Sequence, residues 1–366
     1  MHKILFVTGT LAHNGTETFI MNVYRHMNLN LFEPQFLLGG QVKSDYSYEV
    51  SRKGSKVYYL PSRREKPLMA YVALNSFFKK HQGEFQAIHY CCGSLTSIAV
   101  VVFAYIYKVP VRIIHSHNSS CTGLHNKILH YLLRGLGNQM ATHHLACSDK
   151  AALFFSNKPI YKVICNGIDI NAYSYNVHIR KRIRKKLNIS DDCVVLGHIG
   201  RFTSVKNQEF VLKIFMEYQK LNPKSKLIFV GKGSLEDRIK EMAVEEKLSG
   251  SVFFLGQRNY SNDIMQILDC FVMPSLFEGF PFVLIEAQTA GLPCVISDVI
   301  DKKVDLTGNV CFLPLSASAL AWAMKIDEIA KNFKRVKTDS LITKSGFSID
   351  SVVKSLEEIY INKGIK

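Results

Sequence analysis

The sequence predicts an α/β protein of two Rossmann-like, doubly wound domains facing a cleft, with a C-terminal helix added. Three observations carry that prediction. The chain has 366 residues, more than the roughly 250–300 at which a single core stops growing. Apolar residues make up 47% and charged residues 21%, an ordinary globular composition. Finally, two stretches open alike, as apolar strand, polar loop and helix: 3–8, 9–16 and 17–27, then 194–200, 201–205 and 207–221.

Taken in order, short apolar runs follow at 36–38, 56–59, 87–90, 112–115 and 144–147 in the first half. In the second they fall at 226–230, 252–255, 270–273 and 294–297. Continuous apolar strands separated by helical patterns predict parallel sheets covered on both faces. The run 97–107 is shorter than the ~20 residues that span a bilayer and reads as a buried helix. Residues 1–7 read as a strand rather than a signal peptide. Asn166-Gly167 signals a turn and, with the basic helix at 179–187, marks a seam. The domains are therefore 1–170 and 171–345. The remaining 346–366 form a helix that in this layout can cross back to the first domain.

The nine cysteines are scattered without a Cys-x-x-Cys pair, which fits reduced thiols in a cytoplasm and neither a zinc site nor a disulfide frame. The formal net charge is +16. Residues 1–170 hold 18 Lys and Arg against 8 Asp and Glu, so the first domain is the more basic per residue. Such a field suits phosphates or an anionic membrane face. Nucleic acid is not expected, since zinc-finger, RNP-type and helix-turn-helix signatures are lacking. Candidate membrane-facing cations are Arg52, Lys53, Arg63, Arg64, Lys66, Lys79 and Lys80. The run 180–186 is read as an exposed helix without a ligand.

Ligands of open α/β sheets bind beyond the carboxyl ends of the strands, so the loops there and the cleft between the domains come first. After strand 270–273 comes Glu278-Gly279-Phe280-Pro281, then a helix from about Phe282. Its open N–H groups and positive dipole end suit a diphosphate, and Pro281 suits the first turn because it has no N–H to leave unpaired. Glu278 in the turn and Glu286 one helical turn inside can accept from sugar or ribose hydroxyls; a capping Glu278 and a solvated Glu286 are the bland alternative. After strand 194–200, Gly200 and Arg201 end the strand and Lys206 begins the next helix. Two cations one short loop apart can clamp a diphosphate, Arg as a fork and Lys as a point charge.

These two segments resemble the retaining family-4 glycosyltransferases of the GT-B fold, the glycosyl transferases group 1, over nearly the whole chain. The shared marks are Glu-x7-Glu, here Glu278 and Glu286, and Gly-Arg-x4-Lys, here Gly200, Arg201 and Lys206. The resemblance implies Arg201 and Lys206 as the diphosphate clamp, Glu286 on ribose hydroxyls and Glu278 on donor-sugar hydroxyls. It further implies phosphate or sugar contacts from the amides of Gly279, Phe280, Phe282 and Val283, and Arg258 of Gly256-Gln257-Arg258 near the base. Asn14-Gly15-Thr16-Glu17 resembles the family's Gly-Gly-x-Glu turn, with Asn14 at a position of tolerated positive φ and Gly15 beside the donor phosphate. His117 is placed at the donor sugar, with His115 as the second choice.

Thr18-Phe19-Ile20-Met21-Asn22, the run 115–120 and Ile296-Ser297-Asp298 look most like the bacterial exopolysaccharide and capsule branch. The implied activity is retaining transfer of a hexosyl unit from a nucleotide diphosphate sugar, uridine preferred, to a polyprenyl-diphosphate-linked saccharide. The implied setting is the inner face of the plasma membrane. No cofactor and no metal are expected, there being no Asp-x-Asp motif. A glycosidase would not need the Arg201/Lys206 pair. A dinucleotide oxidoreductase needs a Gly-x-Gly-x-x-Gly that residues 9–14 break. A nucleotide-sugar epimerase of the same architecture, or a non-catalytic membrane-associated partner of that fold, stay as alternatives.

Overall fold

The computed structural model describes every residue except 13, 41–43, 157, 258–260, 279 and 363–366. It divides into two compact units, Met1–Gly167 with the segment that begins at Gly346, and Ile168–Ser345.

In the first unit the strands are β1 (His2–Thr8), β2 (Phe32–Leu38), β3 (Val57–Tyr59), β4 (Ala87–Cys92), β5 (Val111–Ser116), β6 (His143–Ala146) and β7 (Lys162–Val163). They form one parallel sheet in the order β3-β2-β1-β4-β5-β6-β7. Alternation along β1 explains why both faces must be covered. Ile4 and Phe6 enter a core with helix Gly15–His26 and the last helix, whereas Leu5 and Val7 enter another with helices Pro67–Lys80 and Ala99–Ile106. Each of these side chains is at most 5% exposed. Burying one stabilises the fold by roughly 1.5–3 kcal/mol, so the sheet has no wet face.

The last helix, Ile349–Ile361, packs in this first unit, where Ile349, Val352, Val353, Leu356 and Tyr360 join the core around β1. Gly167 explains the close approach. A Cβ there would lie 2.8 Å from Ile349 Cα, so only glycine lets the two backbones meet. The Gly167 carbonyl also accepts from Asn22 Nδ2 at 3.2 Å. Asn166-Gly167 therefore seats a helix nearly two hundred positions later, besides turning the chain.

In the second unit β8 (Val195–Ile199), β9 (Lys226–Val230), β10 (Val252–Phe254), β11 (Cys270–Met273), β12 (Cys294–Ser297) and β13 (Val310–Leu313) form a second parallel sheet. The order is β10-β9-β8-β11-β12-β13. Ile228 and Val230 of β9 face one core while Leu227 and Phe229 face the other. Both sheets reverse winding beside their first strand, at β1/β4 and β8/β11. The crevice outside the strand ends at such a switch point is where open α/β sheets take ligands.

Four local readings change. The run 97–107 holds the helix Ala99–Ile106, but Tyr105 and Ile106 are exposed rather than buried. The sequence pattern passed over β13, four residues between Gly308-Asn309 and Pro314. The helix at 207–221 starts at Gln208, because Asn207 is left-handed, with φ 56°. The basic helix, Val177–Lys186, is not simply a solvated face. Arg180 and Arg184 reach Asp269 at 2.7 and 2.5 Å, and Arg184 is 1% exposed. Asp269 in turn accepts from Val195 N at 2.8 Å, so these cations pin the starts of β8 and β11. Such a charge-assisted network satisfies the guanidinium and the carboxylate that burial would otherwise strand.

Candidate functional site

In the second unit, β8 ends at Ile199 and hands the chain to Gly200 and Arg201. The loop is held by its own backbone: Gly200 N donates to Val230 O at 2.9 Å and Phe202 N to Lys232 O at 3.1 Å. Gly231, at φ 140°, is packed so tightly beneath that a Cβ would fall 2.0 Å from the Gly200 carbonyl oxygen. A 3-10 turn, Ser204–Lys206, follows. Lys206 thus ends a turn instead of beginning the helix. The left-handed Asn207 absorbs the change of direction, and its side-chain amide donates to Pro274 O at 3.0 Å.

That last bond crosses to the second loop. Leu276 N donates to Val205 O at 2.8 Å, so the segment after β8 and the segment after β11 are stitched together. The stitch brings Lys206 Nζ to 2.6 Å from Glu278 Oε1, with the two side chains 22% and 11% exposed. Glu278 therefore neither caps the helix nor points to bulk water. It is paired with the cation that the sequence set apart for a diphosphate. Arg201 lies exposed on the same loop, its carbonyl accepting from Gln208 Nε2 at 2.9 Å.

The helix Phe282–Thr289 begins after Pro281, which is its N-cap and not part of its first turn. Its cap makes no side-chain hydrogen bond. Leu284 N donates to Pro281 O at 3.0 Å, but no side chain caps the N–H groups of Phe282 and Val283, the arrangement that suits an anion. Glu286 is buried on this helix, not solvated. Phe280 is partly buried and leads into the helix. Gly279 and Arg258 lie outside the described residues.

Beneath the Gly200 loop lies His198, 1% exposed. Its Nδ1 is 2.9 Å from the Val272 carbonyl, and so carries the proton. Its Nε2 is buried without a partner, 3.4 Å from where a Gly200 Cβ would sit. Burial pushes this imidazole down to about 4, so it is neutral under the cationic loop. The sequence reading passed over it; a polar residue inside an otherwise apolar strand between Gly197 and Gly200 was the available signal.

In the first unit, the equivalent edge carries a different set. Asn14 N-caps the helix Gly15–His26 in extended geometry, φ −126° and ψ 172°, so the turn needs no positive φ there. A Cβ on Gly15 would meet nothing within 4 Å, leaving the helix start open. Glu17 is buried, with Oε2 unpartnered, and burial raises its carboxyl despite hydrogen bonds from its backbone, Asn14 and Thr10. The motif contained Glu17, but nothing local marked it as buried.

His115 and His117 differ. His115 is fully buried, its Nδ1 3.0 Å from His89 Nε2, and His89 Nδ1 lies 2.7 Å from the Tyr360 hydroxyl of the last helix. His117 caps this row, its ring centroid 4.2 Å from that of His115 and 5.0 Å from that of Phe19. Both of its ring nitrogens are buried without partners, and burial pushes it down to about 3. His115 thus gives Nδ1 to the core and leaves only Nε2 without a partner, while His117 keeps two uncommitted nitrogens.

His89, Cys91 and His115 hold their ligand atoms within 4.8 Å of one another. Burial pushes the Cys91 thiol well up and both imidazoles well down, and the two rings already bond to each other. Both His89 nitrogens and His115 Nδ1 are already used, so these buried, neutral groups read as part of the packed core rather than as a ready divalent-ion site.

Comparison with known proteins places this geometry. The Glycosyl transferases group 1 family profile matches residues 179–338. The putative glycosyltransferase EpsF of Bacillus subtilis is 33% identical over 98% of this chain and 96% of its own. An Escherichia coli UDP-Gal:alpha-D-GlcNAc-diphosphoundecaprenol alpha-1,3-galactosyltransferase is 24% identical over 81% of this chain and 80% of its own. Among solved structures, Anabaena Alr3699/HepE in complex with UDP and glucose superposes with a TM-score of 0.75 at 18% identity, covering 98% and 99% of the two chains. The two parallel sheets are those of the GT-B fold, and the chain belongs to the group 1 glycosyltransferases.

Proposed function

We propose that this glycosyltransferase moves a hexosyl unit, with retention of anomeric configuration, from a UDP-sugar to a hydroxyl of a polyprenyl-diphosphate-linked saccharide in surface polysaccharide synthesis. It works peripherally at the inner membrane face. The observation that carries the reading is the stitched pair of loops that sets Lys206 and Glu278 beside an uncapped helix start. One arrangement supplies a cation for phosphate, a carboxylate for sugar hydroxyls and aligned N–H groups for an oxyanion.

In this reading the second unit binds the donor. Arg201, Lys206 and the amides at Phe282 and Val283 take the diphosphate; Glu286 takes the ribose hydroxyls and Glu278 the sugar. The base lies toward Gly256-Gln257-Arg258. The first unit binds the acceptor, while its Gly15 serves the donor phosphate and its His117 the donor sugar. As the bond from the anomeric carbon to the phosphate oxygen breaks, its electron pair stays on the diphosphate, where the cations stabilise it. The acceptor oxygen bonds to that carbon on the same face, and its proton passes to the leaving phosphate oxygen. His117, held neutral by burial, donates or accepts a hydrogen bond at the sugar without adding charge. Since side chains meet the leaving charge, transfer is expected to proceed in EDTA.

The E. coli relative's named acceptor, a diphosphoundecaprenol glycan, supports the acceptor class, and the Anabaena complexes with UDP support the nucleotide. The test is a panel of nucleotide sugars scored by thermal stabilisation, followed by transfer to a synthetic polyprenyl-diphosphate glycan and NMR of the new linkage. Stabilisation by a UDP-sugar and a product of unchanged anomeric configuration are expected. An epimerised donor formed without acceptor, or an inverted product, refutes the reading.

A further inference from the structure

The first unit holds a row of buried polar side chains that takes no direct part in transfer. The Tyr360 hydroxyl lies 2.7 Å from His89 Nδ1, and His89 Nε2 lies 3.0 Å from His115 Nδ1. All three residues are fully buried. The row joins distant pieces of chain: β4 and β5 supply the imidazoles, and the last helix supplies the hydroxyl. The rings themselves are caged. Phe6 stacks on His89 at a centroid distance of 5.3 Å, and Phe19 stands edge-on to His115 at 4.9 Å. Packing thus fixes the ring planes, and only the places of the protons are left to choose.

Burial keeps both imidazoles neutral, so each has one N–H and one bare nitrogen. Two proton orders then satisfy the inner bonds. In the first, Tyr360 O–H donates to His89 Nδ1, His89 Nε2–H donates to His115 Nδ1, and His115 keeps its proton on Nε2. In the second, every donor reverses. The Tyr360 hydrogen is then left without an acceptor among the described residues, which is costly for a buried donor. The Ile164 carbonyl separates the two orders further. It favours a proton on His115, and Nε2 is the nitrogen that the row leaves free to hold one. The first order is therefore the native one.

His117 lies over His115, ring centroids 4.2 Å apart, with no partner on either of its nitrogens. A neutral imidazole is dipolar from its bare nitrogen to its N–H, so the proton order of His115 biases that of the ring above it. We propose that Tyr360 is a positioning residue for sugar transfer: its hydroxyl orders the protons of His89 and His115, and through them decides which nitrogen of His117 offers a donor and which an acceptor. The proposal rests on the placement of His117 at the donor sugar given above. It gives the last helix a part in the reaction besides its part in the core.

The test is proton–nitrogen correlation NMR of the full chain with labelled histidine, the three signals being assigned from their Gln variants. Wild type should show one form, with the proton on Nε2 of both His89 and His115. Tyr360→Phe keeps the ring against Phe6 and Phe32 and should show both orders. His89→Gln is the second variant: its amide accepts from the hydroxyl and donates to Nδ1, so His115 should keep its proton on Nε2. A wild-type proton on Nδ1 of both rings, an unchanged order in Tyr360→Phe, or a proton on His115 Nδ1 in His89→Gln overturns the proposal. Turnover is read with the UDP-sugar that stabilises most in the panel above. Tyr360→Phe should lower kcat about threefold to tenfold at constant KM, and should cost nothing more in a His117→Gln background. An equal loss in that background makes Tyr360 structural and overturns the proposal. If His117→Gln transfers sugar as wild type does, the placement of His117 is what fails, and the spectra alone judge the proton order.

Discussion

The two units offer the same topological position, the carboxyl edge at the switch point of a parallel sheet, and furnish it in opposite ways. In the second unit it carries charge: Lys206 and Glu278 paired at 2.6 Å, Arg201 alongside, and an uncapped helix start. In the first unit it holds two imidazoles that burial keeps neutral, His117 and His115, and Glu17, whose carboxyl burial raises, around a glycine with open space above it. One edge gathers an ion pair and an exposed guanidinium, and the other keeps its imidazoles uncharged. Part of the difference follows from position: Lys206 and Glu278 stand on two loops that bring them together as an ion pair, whereas His115 lies inside β5, where burial disfavours its charge.

The largest expected effect breaks the charged edge. Lys206→Ala should lower turnover roughly 10²–10³-fold while the melting temperature stays near that of wild type, as for removal of an oxyanion-stabilising group. Unchanged turnover in a folded variant would remove Lys206 from the clamp.

Next, the buried imidazoles of both units should make the fold acid-sensitive. His89 and His117 are held down to about 3 and His198 to about 4, against about 6.5 unfolded. Below pH 6.5 the unfolded chain binds these protons and the native chain does not, so stability falls as pH falls. Each such group costs about 1.4 kcal/mol per pH unit in that window. Melting curves between pH 7 and 5 should shift steeply downward, and His117→Gln should flatten the slope by close to one proton. A pH-independent melting temperature would show that these rings are not neutral and buried.

A smaller effect sharpens the comparison. Glu278 holds Lys206 when no donor is bound, so Glu278→Gln should release the cation and remove a negative neighbour. UDP affinity should then rise several-fold while sugar transfer falls. Calorimetry and turnover assays on the same preparation check the two signs; loss of both would make Glu278 a structural prop. The smallest expected effect is none: because His117 is already neutral, kcat/KM should show no step from its titration between pH 6 and 8.

Much of the fold was legible in the sequence. Apolar runs of four to seven residues separated by helical patterns gave most strands of both sheets, because a strand buried on two faces has no polar positions to blur it. β13 escaped because four residues beside Pro314 resemble a loop. The charged edge could be read from spacing, since Gly200, Arg201, Lys206 and Glu278 lie on loops next to strand ends, whereas the burial of Glu286 inside its helix could not. What spacing could not give were contacts between distant segments. These include the Lys206–Glu278 pair, Arg180 and Arg184 on Asp269, Tyr360 on His89, and the last helix against Gly167. Nor could it separate His115 from His117, because a neighbour 26 positions away decides which ring is spent.

The claim beneath all of this is that a nucleotide's diphosphate sits on the loop after β8. Calorimetric titration of UDP into wild type and into Arg201→Ala/Lys206→Ala tests it most directly. Loss of the two charge-assisted contacts should weaken binding at least about a hundredfold with the fold intact. Equal dissociation constants for the two proteins would contradict it.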